Sequence, residues 1–250
     1  MLGGRLRRHD IGLDGSRIAP AFLTTAGLWA AAQIVLATAA WLETNDVALA
    51  STWQERGDGV QSLGFLAGML LGTVLYEEII YRGVLLPQCY LILRGNRILR
   101  LAGALLVSQT LFACLHFPSL VIWYDLDAAE LLARLIYLFG AGCFFALLYF
   151  RTENLLAVVG IHSLLNRPTS LVESPLNAVA VLLALSVVLG FVWPVVNGGS
   201  LRFRLPEIRL RPGGGGTRPK GSDESAQGEV TASAGAPPGR GLAQGGHGRG

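Results

Sequence analysis

Glu77 and Glu78 stand side by side inside an apolar stretch, Val60 to Leu93, and Arg82 follows four residues past the second acid. Residues four apart on a helix share a face, so Glu78 and Arg82 can pair, while Glu77 points about 100° away. Two more such pairs lie downstream in separate apolar stretches: Phe112 with His116, and His162 with Asn166. Water activation in peptide hydrolysis needs a base and donors for the developing oxyanion, and acids, imidazoles and an amide are groups of that kind. Glu77, His116 and His162 could also ligate Zn2+, although no H-E-x-x-H is present. No cofactor is required by the pattern. Phe112 reads as a packing residue one turn from His116.

The elements that must carry these groups are membrane helices. Of the 250 residues 52% are hydrophobic, but clustering decides more than the total. Ile18–Leu42, Gly59–Tyr76, Leu101–Tyr124 and Ser174–Leu201 contain no Asp, Glu, Lys or Arg. A spanning helix needs about 20 apolar residues, so these four are the strong candidates. Leu135–Phe150 and Asn154–Asn166 are shorter and read as tilted or protein-buried helices. The expected fold is all-α: a polytopic bundle of six to seven helical segments at 18–42, 60–80, 84–94, 99–117, 130–151, 154–167 and 176–196. Gly83 and Pro87 are the expected break points within 60–93, a run that as one straight helix would be about 50 Å long. A charged side chain in such a helix costs about 2.5–3.5 kcal/mol even on lenient insertion scales, which makes each acid a candidate for function.

Three regions follow from composition: a basic arm at 1–17, a helical domain at 18–197 and a Gly- and Pro-rich tail at 198–250, too poor in large apolar residues to order itself. Arginines flank the first span, the 94–100 region and the last span, whereas the 43–58 loop is acidic. Basic loops stay cytoplasmic, so both termini are expected on the cytoplasmic side of the cell membrane. The arginines form no continuous face, which argues against nucleic acid as a partner. Cys89, Cys114 and Cys143 are scattered among apolar residues and show no metal or disulfide spacing.

The three polar pieces, in this order, resemble the pattern of the CPBP family of intramembrane proteases. That family includes prenyl-protein (CAAX) proteases of the Rce1 type and bacteriocin-processing or immunity proteins. Tyr76-Glu77-Glu78-Ile79-Ile80-Tyr81-Arg82-Gly83 is similar to its first motif, and Gly160-Ile161-His162 to the approach to its third. The resemblance covers roughly residues 60–170. It implies an endopeptidase, glutamate- or metal-dependent, acting on a membrane-embedded or lipidated protein substrate in the bilayer. In that scheme Glu77 is the base, His116 helps hold the water, and His162 and Asn166 stabilise the oxyanion. Glu78 and Arg82 support the site, with Glu78 a second participant. An inactive immunity or scaffold protein of the same family is the alternative. A proton- or cation-coupled transporter is the third reading, and it would spread its titratable groups across the membrane depth.

One tension remains at this level. If helix 99–117 starts at the arginine-marked membrane edge, His116 lies about 24 Å along it, toward the far side. Glu77, near the end of its own 60–80 segment, would then miss it. Either 99–117 starts deeper or the 82–100 segment re-enters the membrane.

Overall fold

The computed structural model of the chain describes residues 13–54 and 58–196. Most of the basic arm and the 198–250 tail expected from composition lie outside the described residues. Among the described residues, seven principal helices make up the fold: α1 (Ile18–Thr44), α2 (Asp58–Ile92), α3 (Arg97–Leu115), α4 (Phe117–Trp123), α5 (Ala128–Thr152), α6 (Leu155–Asn166) and α7 (Ala178–Val196). Four helical stretches among them are long and apolar enough to cross a membrane: Gly15–Thr44, Asp58–Ile92, Arg97–Trp123 and Ala128–Thr152. Large apolar side chains such as Phe22, Leu71, Ile98 and Ile122 are exposed on their outer faces, as a hydrocarbon solvent permits. The protein is a multi-pass helical membrane protein.

The helix ends follow local chemistry. Asn96 caps α3 through its side chain, which accepts from Leu99 N at 2.9 Å. Asp127 and Glu130 form a reciprocal capping box that starts α5. This cap carries α5 past the uncharged run at 135–150 and gives it 25 residues, so a segment expected to be short is one of the long spans. The reverse holds for Ser174–Leu201. Its helix begins only at Ala178, because Ser174 lies in the non-helical connection and donates its hydroxyl to Leu36 O at 3.0 Å.

The expected break in α2 does not occur. The helix runs through Gly83 and Pro87, with π-helical turns at Met69–Thr73 and Ile79–Leu85. A proline ring collides with the carbonyl four residues before it, here that of Gly83. The wider turn at 79–85 lies where that carbonyl must move aside, so the axis continues. This continuity removes the height mismatch between Glu77 and His116. Glu77 lies about 23 Å from the end of α2 at Ile92, and His116 about 29 Å from the start of α3, on the same side of the connecting turn. The antiparallel register is direct: Arg100 donates to Tyr90 O at 2.8 Å, and Tyr81 meets Phe112 edge-on at 5.0 Å.

Helix α6 is the centre. Nine of its twelve residues are buried, and it packs against α1, α2, α5 and α7. Asn154 fixes its start by accepting from Leu156 N and donating to Arg17 O at 3.0 Å. Lipid gives helices no hydrophobic reason to associate, so close contact depends on small residues. Gly160 provides it, since a Cβ there would stand 2.0 Å from Thr25 Oγ1 on α1. Gly160→Ala is therefore expected to cost about 1–3 kcal/mol through overpacking. Thermal unfolding in detergent measures this, and an unchanged midpoint would show that α1 and α6 are not locked together.

Beyond α6 the chain is not helical up to Asn177. It runs along α1, where Trp29 donates to Thr169 O at 3.3 Å and Gln33 Oε1 accepts from Leu171 N at 2.8 Å. An antiparallel bridge joins Leu49 to Val172, and Trp53 donates to Ser170 O at 2.7 Å. Trp29 thus anchors this connection from the middle of α1.

Candidate active site

Three helices bring the acids and imidazoles together. Glu77 and Glu78 come from α2, His116 from the junction of α3 and α4, and His162 from α6. His116 Nε2 is 3.7 Å from Glu77 Oε1, and His162 Nε2 is 3.9 Å from Glu77 Oε2. His162 Nδ1 is 2.8 Å from Glu78 Oε1. Glu78 Oε1 also accepts from Arg82 Nη1 at 3.0 Å, in an ion pair whose side chains are both fully buried.

The ring tautomers follow from these partners. His116 Nδ1 lies 2.7 Å from Phe112 O, and a carbonyl can only accept, so Nδ1 carries the proton. His162 Nδ1 faces a carboxylate oxygen already paired with a guanidinium, which again makes Nδ1 the donor. Both rings therefore turn Nε2 toward Glu77, as a lone pair when the ring is neutral. Glu77 is the less enclosed of the two acids, its side chain 17% exposed against 0% for Glu78. One carboxylate faces the shared space; the other is locked into the framework.

Aromatic rings enclose the cluster. Phe112 is buried and lies edge-on to His116, centroids 4.7 Å apart. Phe145, on α5, stacks on His162 at 4.0 Å. The Arg82 guanidinium sits over both rings, 4.8 Å from Phe112 and 5.5 Å from Phe145. Its second arm donates to Gly142 O on α5 at 2.9 Å, so one side chain ties α2 to α5. Phe145 and Gly142 escaped sequence reasoning, because α5 carries no polar signal where it meets the site.

Asn166, the expected amide donor, closes α6 one turn past His162 on an exposed position, outside the contacts that join the other five. A cavity of about 390 Å³ begins at the next residue, lined by Arg167, Thr169, Ser170, Glu173, Trp53 and Ser62 among others. It includes none of Glu77, Glu78, His116 and His162. Among the described residues, no group of three or more His, Cys, Asp or Glu could hold a metal ion.

Fold and cluster together define a class: a polytopic helical membrane protein with a carboxylate–imidazole cluster enclosed among its helices. Residues 59–167 match the family model described as "Type II CAAX prenyl endopeptidase Rce1-like". That stretch carries all three motifs and is similar to this family, in line with the resemblance to the CPBP family. No curated protein matches the chain, and no solved structure does.

Proposed function

We propose that this protein is an intramembrane endopeptidase that hydrolyses a peptide bond of a membrane-associated, lipidated protein, with Glu77 as the base that activates water. The observation that carries this reading is the convergence of two anchored imidazoles on the two oxygens of Glu77. The separations of 3.7 and 3.9 Å exceed a direct hydrogen bond and suit a water shared between carboxylate and rings. Such a water donates one hydrogen to Glu77 and the other to an Nε2 lone pair, and its oxygen is left to attack the scissile carbonyl carbon. Glu77 takes the proton during attack and returns it to the leaving amine. Asn166, one turn past His162 on the same helix, offers an amide N–H to the oxyanion of a bound substrate. Glu78 and Arg82 fix His162.

The single cluster supports hydrolysis over a transport relay, which needs groups at several depths. The Rce1-like match supports a prenylated protein as substrate, and the placement of arginines supports cytoplasmic termini. An inactive immunity or scaffold role predicts the same geometry without turnover.

The test is hydrolysis of membrane-tethered peptides by purified protein in nanodiscs, comparing wild type with Glu77→Ala and His162→Ala. Cleavage by wild type alone is the expected result. Equal activity of the variants, or no cleavage by wild type of any substrate in the panel, would overturn the assignment. A strong chelator in the same assay is expected to leave the rate within about twofold, since the water is polarised by protein groups. Loss restored by added Zn2+ would show that a metal holds the water instead.

A further inference from the structure

Gln109 belongs to no motif, yet it lies fully buried on α3 one turn before Phe112. Its Nε2 donates to Ser108 Oγ at 2.8 Å, which turns Oε1 the other way. That oxygen is buried and has no hydrogen-bond partner. Arg82 has the complementary orphan: Nε–H is buried without an acceptor, although both outer nitrogens are paired. Glu78 Oε2 is a second buried acceptor without a partner, on the far side of the ion pair, while the side chains of both Arg82 and Gln109 reach Gly142. Arg82 Nη2 donates to its carbonyl at 2.9 Å, and a Cβ on Gly142 would stand 2.5 Å from Gln109 Oε1. The same absent Cβ would stand 3.1 Å from Phe112 Cδ1, the ring that stacks beneath the guanidinium. Buried donors and acceptors are almost always paired, because each orphan forfeits the full cost of its desolvation. One donor and one acceptor beside the same glycine answer that requirement together.

We propose that Gln109 is a positioning residue for the acid–imidazole cluster, its Oε1 partnering the Nε–H of Arg82 beside Gly142 through one bridging water. The glutamine then holds the third nitrogen of a guanidinium whose other two hold Glu78 and α5. With all three engaged, Arg82 cannot rotate, Glu78 Oε1 stays aimed at His162 Nδ1, and the ring keeps its Nε2 turned to Glu77. Gln109 touches neither the attacking water nor substrate. Its effect passes through Arg82. The part of this inference that concerns turnover rests on the peptidase reading; the part that concerns the geometry of His162 does not.

The experiment uses the full-length protein in nanodiscs with two readouts: peptide cleavage, and the imidazole nitrogen signals of 15N-histidine-labelled protein, with His162 assigned by substitution. Gln109→Met keeps shape and removes the acceptor, whereas Gln109→Glu keeps an acceptor. Gln109→Met is expected to lower kcat about tenfold with KM within twofold and to move the His162 Nδ1 signal. Gln109→Glu is expected to retain both. In an Arg82→Lys background, which puts a methylene where Nε stands, Gln109→Met should change kcat less than twofold, the coupling that contact predicts. Wild-type values for Gln109→Met, or the same tenfold loss in the lysine background, would overturn the proposal. If Gln109→Met fails to fold, Gln109→Glu decides alone: a His162 signal moved away from wild type overturns the pairing. If wild type cleaves nothing while the His162 signal responds as expected, the positioning role stands and the peptidase reading falls.

Discussion

Glu77→Gln is expected to lower peptide hydrolysis by about 10²- to 10⁴-fold, the range in which removal of a general base falls. The amide preserves the volume and the contacts to both rings but cannot take up the proton of an attacking water. Because the group acts on the water and not on substrate binding, the loss should appear in kcat, with KM little altered. The separation from Glu78 is part of this expectation. Glu78 is fully buried with Oε1 held by Arg82 and His162, away from the space that Glu77 faces, so it is not expected to replace its neighbour. Steady-state cleavage of a membrane-tethered peptide by the two proteins at matched concentration measures the effect. A glutamine variant within tenfold of wild type would remove Glu77 from the role of base.

The second large effect concerns stability. Arg82→Ala is expected to destabilise the protein by about 3–5 kcal/mol, the cost of leaving a buried charge without its partner. Glu78, fully buried, would keep only His162 Nδ1 against it. The same change removes the guanidinium from over Phe112 and Phe145 and cuts the link to Gly142 O. Replacing both partners by apolar residues of similar size, Glu78→Leu with Arg82→Met, is expected to recover most of that loss, since no uncompensated charge remains. Activity should not return with it, because His162 would have no acceptor at Nδ1 and its ring would be free to turn. Thermal unfolding and the cleavage assay on the three proteins separate the two consequences. A double variant as unstable as Arg82→Ala would mean that packing around the guanidinium, and not the buried charge, sets the cost.

Much of this was readable without coordinates. The absence of charge over about 20 residues at a time marks membrane helices, because the bilayer penalises charge independently of which helix packs where. The Glu78–Arg82 pair was equally legible, since i, i+4 neighbours on one helix meet whatever surrounds them. The three motif fragments and the family they resemble were also open to reading, as they are matters of residue type and spacing alone.

What the linear chain could not decide was set by contacts between distant elements. Sequence offered Gly83 and Pro87 as a break in α2, because each disfavours an ordinary helix; the chain instead takes a π-helical turn at Ile79–Leu85 and stays helical to Ile92. That continuity places Glu77 beside His116, and no local rule announces it. The partners of His162 come from α2 and α5, 84 residues upstream in the case of Glu78, and the stacking Phe145 lies in a stretch whose composition matches any lipid-facing helix. The end of α6 at Asn166, just before Arg167-Pro168, was legible; that the amide there is exposed and apart from the cluster was not. Local chemistry chose the helices and their caps; only the packed arrangement chose which lone pairs face Glu77.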